Sequence, residues 1–122
     1  MALAGIRVLV VEDDALIRLM IVDYLKDLDC VVVATASVLP DALQKASSLA
    51  FDVGLLDINL KGTLSYPVGE VLAARHIPFL FCTAYSAAAL PAELSSTPVL
   101  MKPFNMHQLA DQLQIAIGGV SP

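Results

Sequence analysis

The chain has 122 residues, 57% apolar and 16% charged, and its twelve Asp/Glu against seven Lys/Arg give a formal charge of −5. That length fits one domain, residues 1–122, and so apolar a composition excludes disorder; roughly two-thirds of the unfolded surface can be buried without disulfides or structural metal. The acidic balance excludes a general nucleic-acid binder, which needs a basic face to displace counterions, and disfavours docking on anionic lipid. Cys30 and Cys82 form neither a disulfide framework nor a zinc pattern, and both lie in apolar runs that read as buried and inert in a reducing compartment. No secretory signal opens the sequence, and the uncharged apolar-biased stretch 77–90 is shorter than the about 20 residues of a membrane span. A soluble cytoplasmic protein with no membrane insertion is expected.

Ile6 to Val11 is a β-branched run that stops at three acids, as a strand covered on both faces would. From Ala15 the period changes. Leu16, Ile17, Met20, Ile21, Tyr24, Leu25 and Leu28 recur at helical spacing on one face, with Asp14 as N-cap. Val31 to Thr35 is a second strand. Ala42 to Leu49 is a short helix with Pro40 and Asp41 in its first turn. Val53 to Leu56 is a third strand ending at Asp57, followed by a polar loop with Lys61, Gly62 and Thr63. Pro67 to Ala74 predicts a helix, and Pro78 to Cys82 a fourth strand ending at Thr83. The signal between Ala84 and Thr97 supports only a short or irregular helix. Pro98 to Met101 is a fifth strand ending at Lys102-Pro103. Asn105 caps a last helix carrying Leu109, Leu113, Ile115 and Ile117, and Gly118-Gly119 end it. The core is expected over about 5–117, with a frayed tail at 118–122.

Alternating strands and helices with right-handed crossovers predict a doubly wound α/β domain, its parallel sheet covered by helices on both faces. In such a sheet the site lies outside the carboxyl ends of the strands. Those ends carry Glu12, Asp13 and Asp14, then Asp57, then Thr83, then Lys102. Carboxylates crowded into one crevice repel each other, and a hard divalent cation such as Mg²⁺ relieves that repulsion through oxygen ligands. A carboxylate beside Mg²⁺ can attack phosphorus to form an acyl phosphate. The transferring group then needs positive charge and donors, which Lys102, the Thr83 hydroxyl and backbone N–H groups after Asp57 and Thr83 can supply. Asp14, which opens a helix, reads as a cap.

At these residues the chain resembles a response-regulator receiver domain of two-component signalling. The likeness rests on Val8-Leu9-Val10-Val11-Glu12-Asp13-Asp14, Leu55-Leu56-Asp57-Ile58-Asn59-Leu60, Phe81-Cys82-Thr83-Ala84 and Met101-Lys102-Pro103-Phe104, in order and in approximate spacing. It implies a five-stranded flavodoxin-like sheet of order 2-1-3-4-5. It makes Asp57 the phosphorylated aspartate and Asp13 an acidic Mg²⁺ ligand. Glu12 would act through a metal-bound water, and Asn59 would give its backbone carbonyl to the ion. Thr83 becomes the switch hydroxyl, with the Ala84 backbone beside it, and Lys102 the phosphate-pairing lysine. Lys102-Pro103 is expected to be cis.

The chain departs from the family where receivers carry a strand-five aromatic, since Val99 stands there and Tyr85 lies two residues after Thr83. The stretch from Thr83 to Lys102 is also short, so the fourth helix should be stunted. Phe81-Cys82-Thr83-Ala84-Tyr85, with Pro67-Val68 and Ile77-Pro78-Phe79, is similar to the FATGUY-type receivers found mainly in alphaproteobacteria. Cys82 replaces their Ala, Ala84 replaces their Gly, and the Tyr comes one position early. That likeness implies a single-domain regulator working with a kinase of the HWE type, and makes Tyr85 a candidate switch aromatic. His76 and His107 are expected outside the crevice, and Met101 and Met106 in core or edge packing.

The resemblance implies a non-enzymatic phosphoacceptor, taking its phosphoryl group from a sensor histidine kinase and presenting a changed surface to a downstream protein, as a monomer or weak dimer. Three rivals are weighed: a scaffold that is never phosphorylated, an aspartyl-phosphate phosphatase, and a nucleotide binder. The phosphatase needs a second acid two residues after the nucleophile, where Asn59 stands. Nucleotide binding fails because acids, not a glycine-rich turn, follow the first strand.

Overall fold

The computed structural model describes residues 3–84 and 90–118. Five parallel strands form one sheet: β1 (Arg7–Val11), β2 (Val31–Ala36), β3 (Val53–Asp57), β6 (Phe79–Thr83) and β7 (Val99–Met101), in the order β2-β1-β3-β6-β7. This is the flavodoxin-like order expected of five doubly wound strands. Two further strands, β4 (Asn59–Leu60) and β5 (Thr63–Leu64), pair antiparallel as a separate hairpin. The loop expected after Asp57 is therefore structured. Its two-residue strands are too short to show an alternating pattern in sequence.

The helices are α1 (Ala15–Asp27), α2 (Leu39–Ser48), α3 (Tyr66–Ala74) and α4 (Met106–Gly118). Val8 and Val10 point to the face covered by α1 and α4, while Leu9 and Val11 point to the face covered by α2 and α3. The period-two alternation of a strand thus feeds two separate cores. All five residues of β3 are buried, which explains its unbroken apolar run. Gly54 is small for a packing reason, because a Cβ there would lie 2.6 Å from Leu72 Cδ1.

Asp14 caps α1, its Oδ1 accepting from the N–H groups of Leu16 at 2.9 Å and Ile17 at 3.1 Å. Ile21 and Leu25 are buried in the core, with Ile17, Met20, Tyr24 and Leu28 packed against it. Leu16 does not join them and is 80% exposed. At 3.6 residues per turn it lies about 140° from Ile21, past the edge of the apolar stripe. Ile115 in α4 is exposed for the same reason, on the side opposite Leu113. Met101 is also exposed, on the edge strand. Leu3 lies inside the core, so the core begins earlier than residue 5. Asn105 and Gln108 cap α4 reciprocally: the Gln108 N–H donates to Asn105 Oδ1 at 2.8 Å, and the Asn105 N–H to Gln108 Oε1 at 2.9 Å.

Between Thr83 and β7, the described residues hold only the 3₁₀ turn Ala92–Leu94. Tyr85, and with it the reading of Tyr85 as a switch aromatic, lies outside the described residues, as does most of the expected tail. Two side chains tie helices to their neighbours. Lys45 Nζ donates to Thr35 O at 2.7 Å and pairs with Asp41 at 2.8 Å. Arg75, at the end of α3, donates to the carbonyls of Ala46 and Leu49 at the end of α2, its guanidinium 5.7 Å from the Phe51 ring centroid. Among the described residues no helix is long and apolar enough to cross a membrane.

Candidate functional site

Because the strands are parallel, their carboxyl ends share one rim. Asp57 pairs in register with Cys82, and Thr83 with Met101, so the residues after them project over the same edge. A cavity of about 260 Å³ opens there, lined by Asp13, Asp57, Asn59, Lys61, Gly62, Thr83, Ala84 and Lys102. Glu12 is buried behind this wall. Residues separated by up to ninety positions therefore meet, and Lys102 Nζ joins them, 2.8 Å from Glu12 Oε1 and 3.3 Å from Asp57 Oδ2. The Lys102–Pro103 peptide is cis. The Lys102 N–H donates to Thr83 O at 2.8 Å, which sets the start of that loop against the end of β6.

The acidic loop after β1 is held from several directions. The Glu12 N–H donates to Ala36 O at 2.9 Å, and the Asp14 N–H donates to Glu12 Oε2 at 3.1 Å. Arg18 reaches back from α1 to donate from Nη1 to Glu12 O at 2.8 Å. On the other wall, the Asn59 N–H lies 3.4 Å from Asp57 Oδ1. Buried Ser65 sits at the N-cap of α3 but makes no side-chain cap bond; its hydroxyl donates to the Asp57 carbonyl instead. Ser65 and Arg18 thus fix the backbone of two acids. Neither is legible from sequence, since a Ser before a helix reads as a cap and an Arg on a helix as solvated.

The electrostatics follow from crowding. Burial, and then the charge of Glu12, push the Asp57 carboxyl up to about 7, against the pull of Lys102. Burial also works to raise Asp13, but hydrogen bonding with Asp57 and Glu12 and the Lys102 charge hold it below the ordinary carboxylate value. Burial works to lower Lys102, and its contacts with Glu12 and Asp57 outweigh that and raise it. The Cys82 thiol is pushed far up, chiefly by burial, and is no nucleophile at neutral pH. His76 and His107 are exposed and do not line the cavity.

One carboxylate oxygen from each of Glu12, Asp13 and Asp57 lies within 4.8 Å of the others. An all-oxygen donor set, crowded enough to hold back the ionisation of Asp57, fits a hard cation such as Mg²⁺.

Comparison with known proteins agrees with this geometry. No curated protein sequence matches the chain. SdrG from Sphingomonas melonis Fr1, solved in solution, is 40% identical with a TM-score of 0.79, over 93% of this chain and 95% of that one. The BeF3-activated conformation of SdrG, described from Pseudomonas melonis Fr1, is 38% identical with a TM-score of 0.79, over 93% and 98%. The receiver domain of the sensor histidine kinase PA1611 from Pseudomonas aeruginosa PAO1, with a magnesium ion in its active-site cleft, is 25% identical with a TM-score of 0.81, over 95% and 100%. The sequence model of the response regulator receiver domain matches residues 8–114, and the chain belongs to that family.

Proposed function

We propose that Asp57 accepts a phosphoryl group from the phosphohistidine of a sensor kinase and that the resulting acyl phosphate changes a surface read by a downstream protein. One observation carries this reading: Lys102 Nζ stands between Glu12 and Asp57 in the wall of a cavity that Asp13 and Thr83 also line. The Asp57 carboxylate attacks phosphorus, the P–N bond breaks, and its electron pair stays on the imidazole, which takes a proton from solvent. Asp13, Asp57 and the Asn59 carbonyl would hold Mg²⁺, with Glu12 acting through water, and the ion would supply positive charge to the carboxylates and the phosphoryl oxygens. Lys102 pairs with a phosphoryl oxygen, and the Thr83 hydroxyl and the N–H groups near Asn59 and Ala84 donate to the others. Thr83, drawn to the phosphate, biases the loops around it between two states. The subgroup likeness of Phe81-Cys82-Thr83-Ala84-Tyr85, with Pro67-Val68 and Ile77-Pro78-Phe79, supports a donor of the HWE type.

Incubation with Mg²⁺ and acetyl phosphate, followed by intact mass, tests this. The wild type gains one phosphoryl group and Asp57→Asn gains none. An unmodified wild type would favour the scaffold, and phosphate release at many turnovers per second the phosphatase.

A further inference from the structure

Lys61 occupies an unusual place. It lines the cavity beside Asp57, Asp13 and Lys102, yet it belongs to the turn of the β4–β5 hairpin. Lys61 has φ +53° and Gly62 has φ +91°, as a two-residue turn between these strands demands. The Gly62 N–H is anchored to Asn59 Oδ1. Asn or Gly would adopt the first position more readily, since a side chain with a Cβ is crowded in this region. A long cation held there against local preference invites a reason in its charge.

The charge pattern supplies one. The crevice holds three carboxyl groups, and its inner ammonium, Lys102, is already engaged by Glu12 and Asp57. Lys61 is exposed and, among the described residues, forms no salt bridge. An anionic phosphodonor approaching this mouth meets the negative potential of three carboxyl groups, which Lys102 and a bound Mg²⁺ would reduce from within. A cation on the outer lip offsets that potential along the entry path.

We propose that Lys61 is a donor-specificity residue that favours phosphodonors carrying two negative charges over those carrying one. This rests on Asp57 being the phosphoacceptor. With acetyl phosphate the Asp57 carboxylate forms a new O–P bond, the bond from phosphorus to the acetyl oxygen breaks, and acetate leaves with the electron pair. Lys61 acts on the approach of the doubly charged donor and is a positioning residue rather than a catalytic one. The same charge opposes entry of a divalent cation, so removing it weakens donor capture while strengthening Mg²⁺ binding.

The test compares wild type, Lys61→Gln, Lys61→Arg and Lys26→Gln, the last removing one charge from the distant end of α1. Phosphorylation rates with acetyl phosphate and with phosphoramidate, which carries one net negative charge, are read by intact mass at low and high salt. Mg²⁺ affinity is measured separately by calorimetry. Lys61→Gln lowers the acetyl phosphate rate about three- to tenfold at low salt, less at high salt, and lowers the phosphoramidate rate less. It tightens Mg²⁺ about twofold. Lys61→Arg restores both, and Lys26→Gln changes neither. A hairpin merely distorted by the substitution would weaken Mg²⁺ and both donors together, which overturns the proposal, as would equal losses with the two donors. A wild type that gains no phosphoryl group overturns the functional reading and this inference with it. A phosphorylated wild type with an unaffected Lys61→Gln overturns this inference alone.

Discussion

At the scale of single residues, the protonation of Asp57 is linked to the stability of the free protein. Its folded value of about 7 lies above the ordinary 3.8. Between those values the folded chain binds more protons than the unfolded one, so stability falls as pH rises through the window and levels off above it. The loss is on the order of a few kcal/mol. Metal-free protein should therefore show a lower urea midpoint at pH 8 than at pH 5. Mg²⁺, which favours the ionised carboxylate, should raise the midpoint more at pH 8, and Asp57→Asn should flatten both dependences. An Asp57→Asn variant as pH-sensitive as wild type would refute the assignment. The acids and Lys102 were legible in the sequence because each interrupts an apolar run at a strand end. Ser65 and Arg18 were not, because their hydroxyl and guanidinium reach backbone carbonyls that no local pattern identifies.

At the scale of elements, β3 is the member that admits least change. Gly54 lies between its partners Leu9 and Phe79, under Leu72. Gly54→Ala would press a methyl group onto Leu72, and we expect a destabilisation of about 1–3 kcal/mol by urea unfolding. A stabilised Gly54→Ala would mean that Leu72 rotates aside freely. The strands themselves were read from sequence nearly to the residue, since runs such as Val53-Gly54-Leu55-Leu56 have no other plausible burial. The β4–β5 hairpin escaped because two residues per strand carry no period. Leu16 was misplaced because spacing of three and four allows the stripe to drift, and the sequence does not say where the sheet beneath it stops.

At the scale of the whole molecule, one sheet separates two cores that share no side chains. Ile21 packs on the α1 face and Leu72 on the α3 face. Ile21→Val should cost about 0.5–1.5 kcal/mol and Leu72→Ala about 2–5 kcal/mol. With no shared partners, the double variant should equal their sum within about 0.5 kcal/mol, and a larger departure would show that the sheet transmits strain between the layers. The strand alternation made this division legible, but not what fastens the layers laterally.

Arg75 is such a fastener, bonding the last carbonyls of α2 while stacked near Phe51. Its effect is to weld α2 and α3 into one slab on that side of the sheet. If Asp57 takes a phosphoryl group as proposed, that flank would move as one body, and the response would fall to the opposite margin, where β7 is only three residues long and the Lys102 N–H donates to Thr83 O.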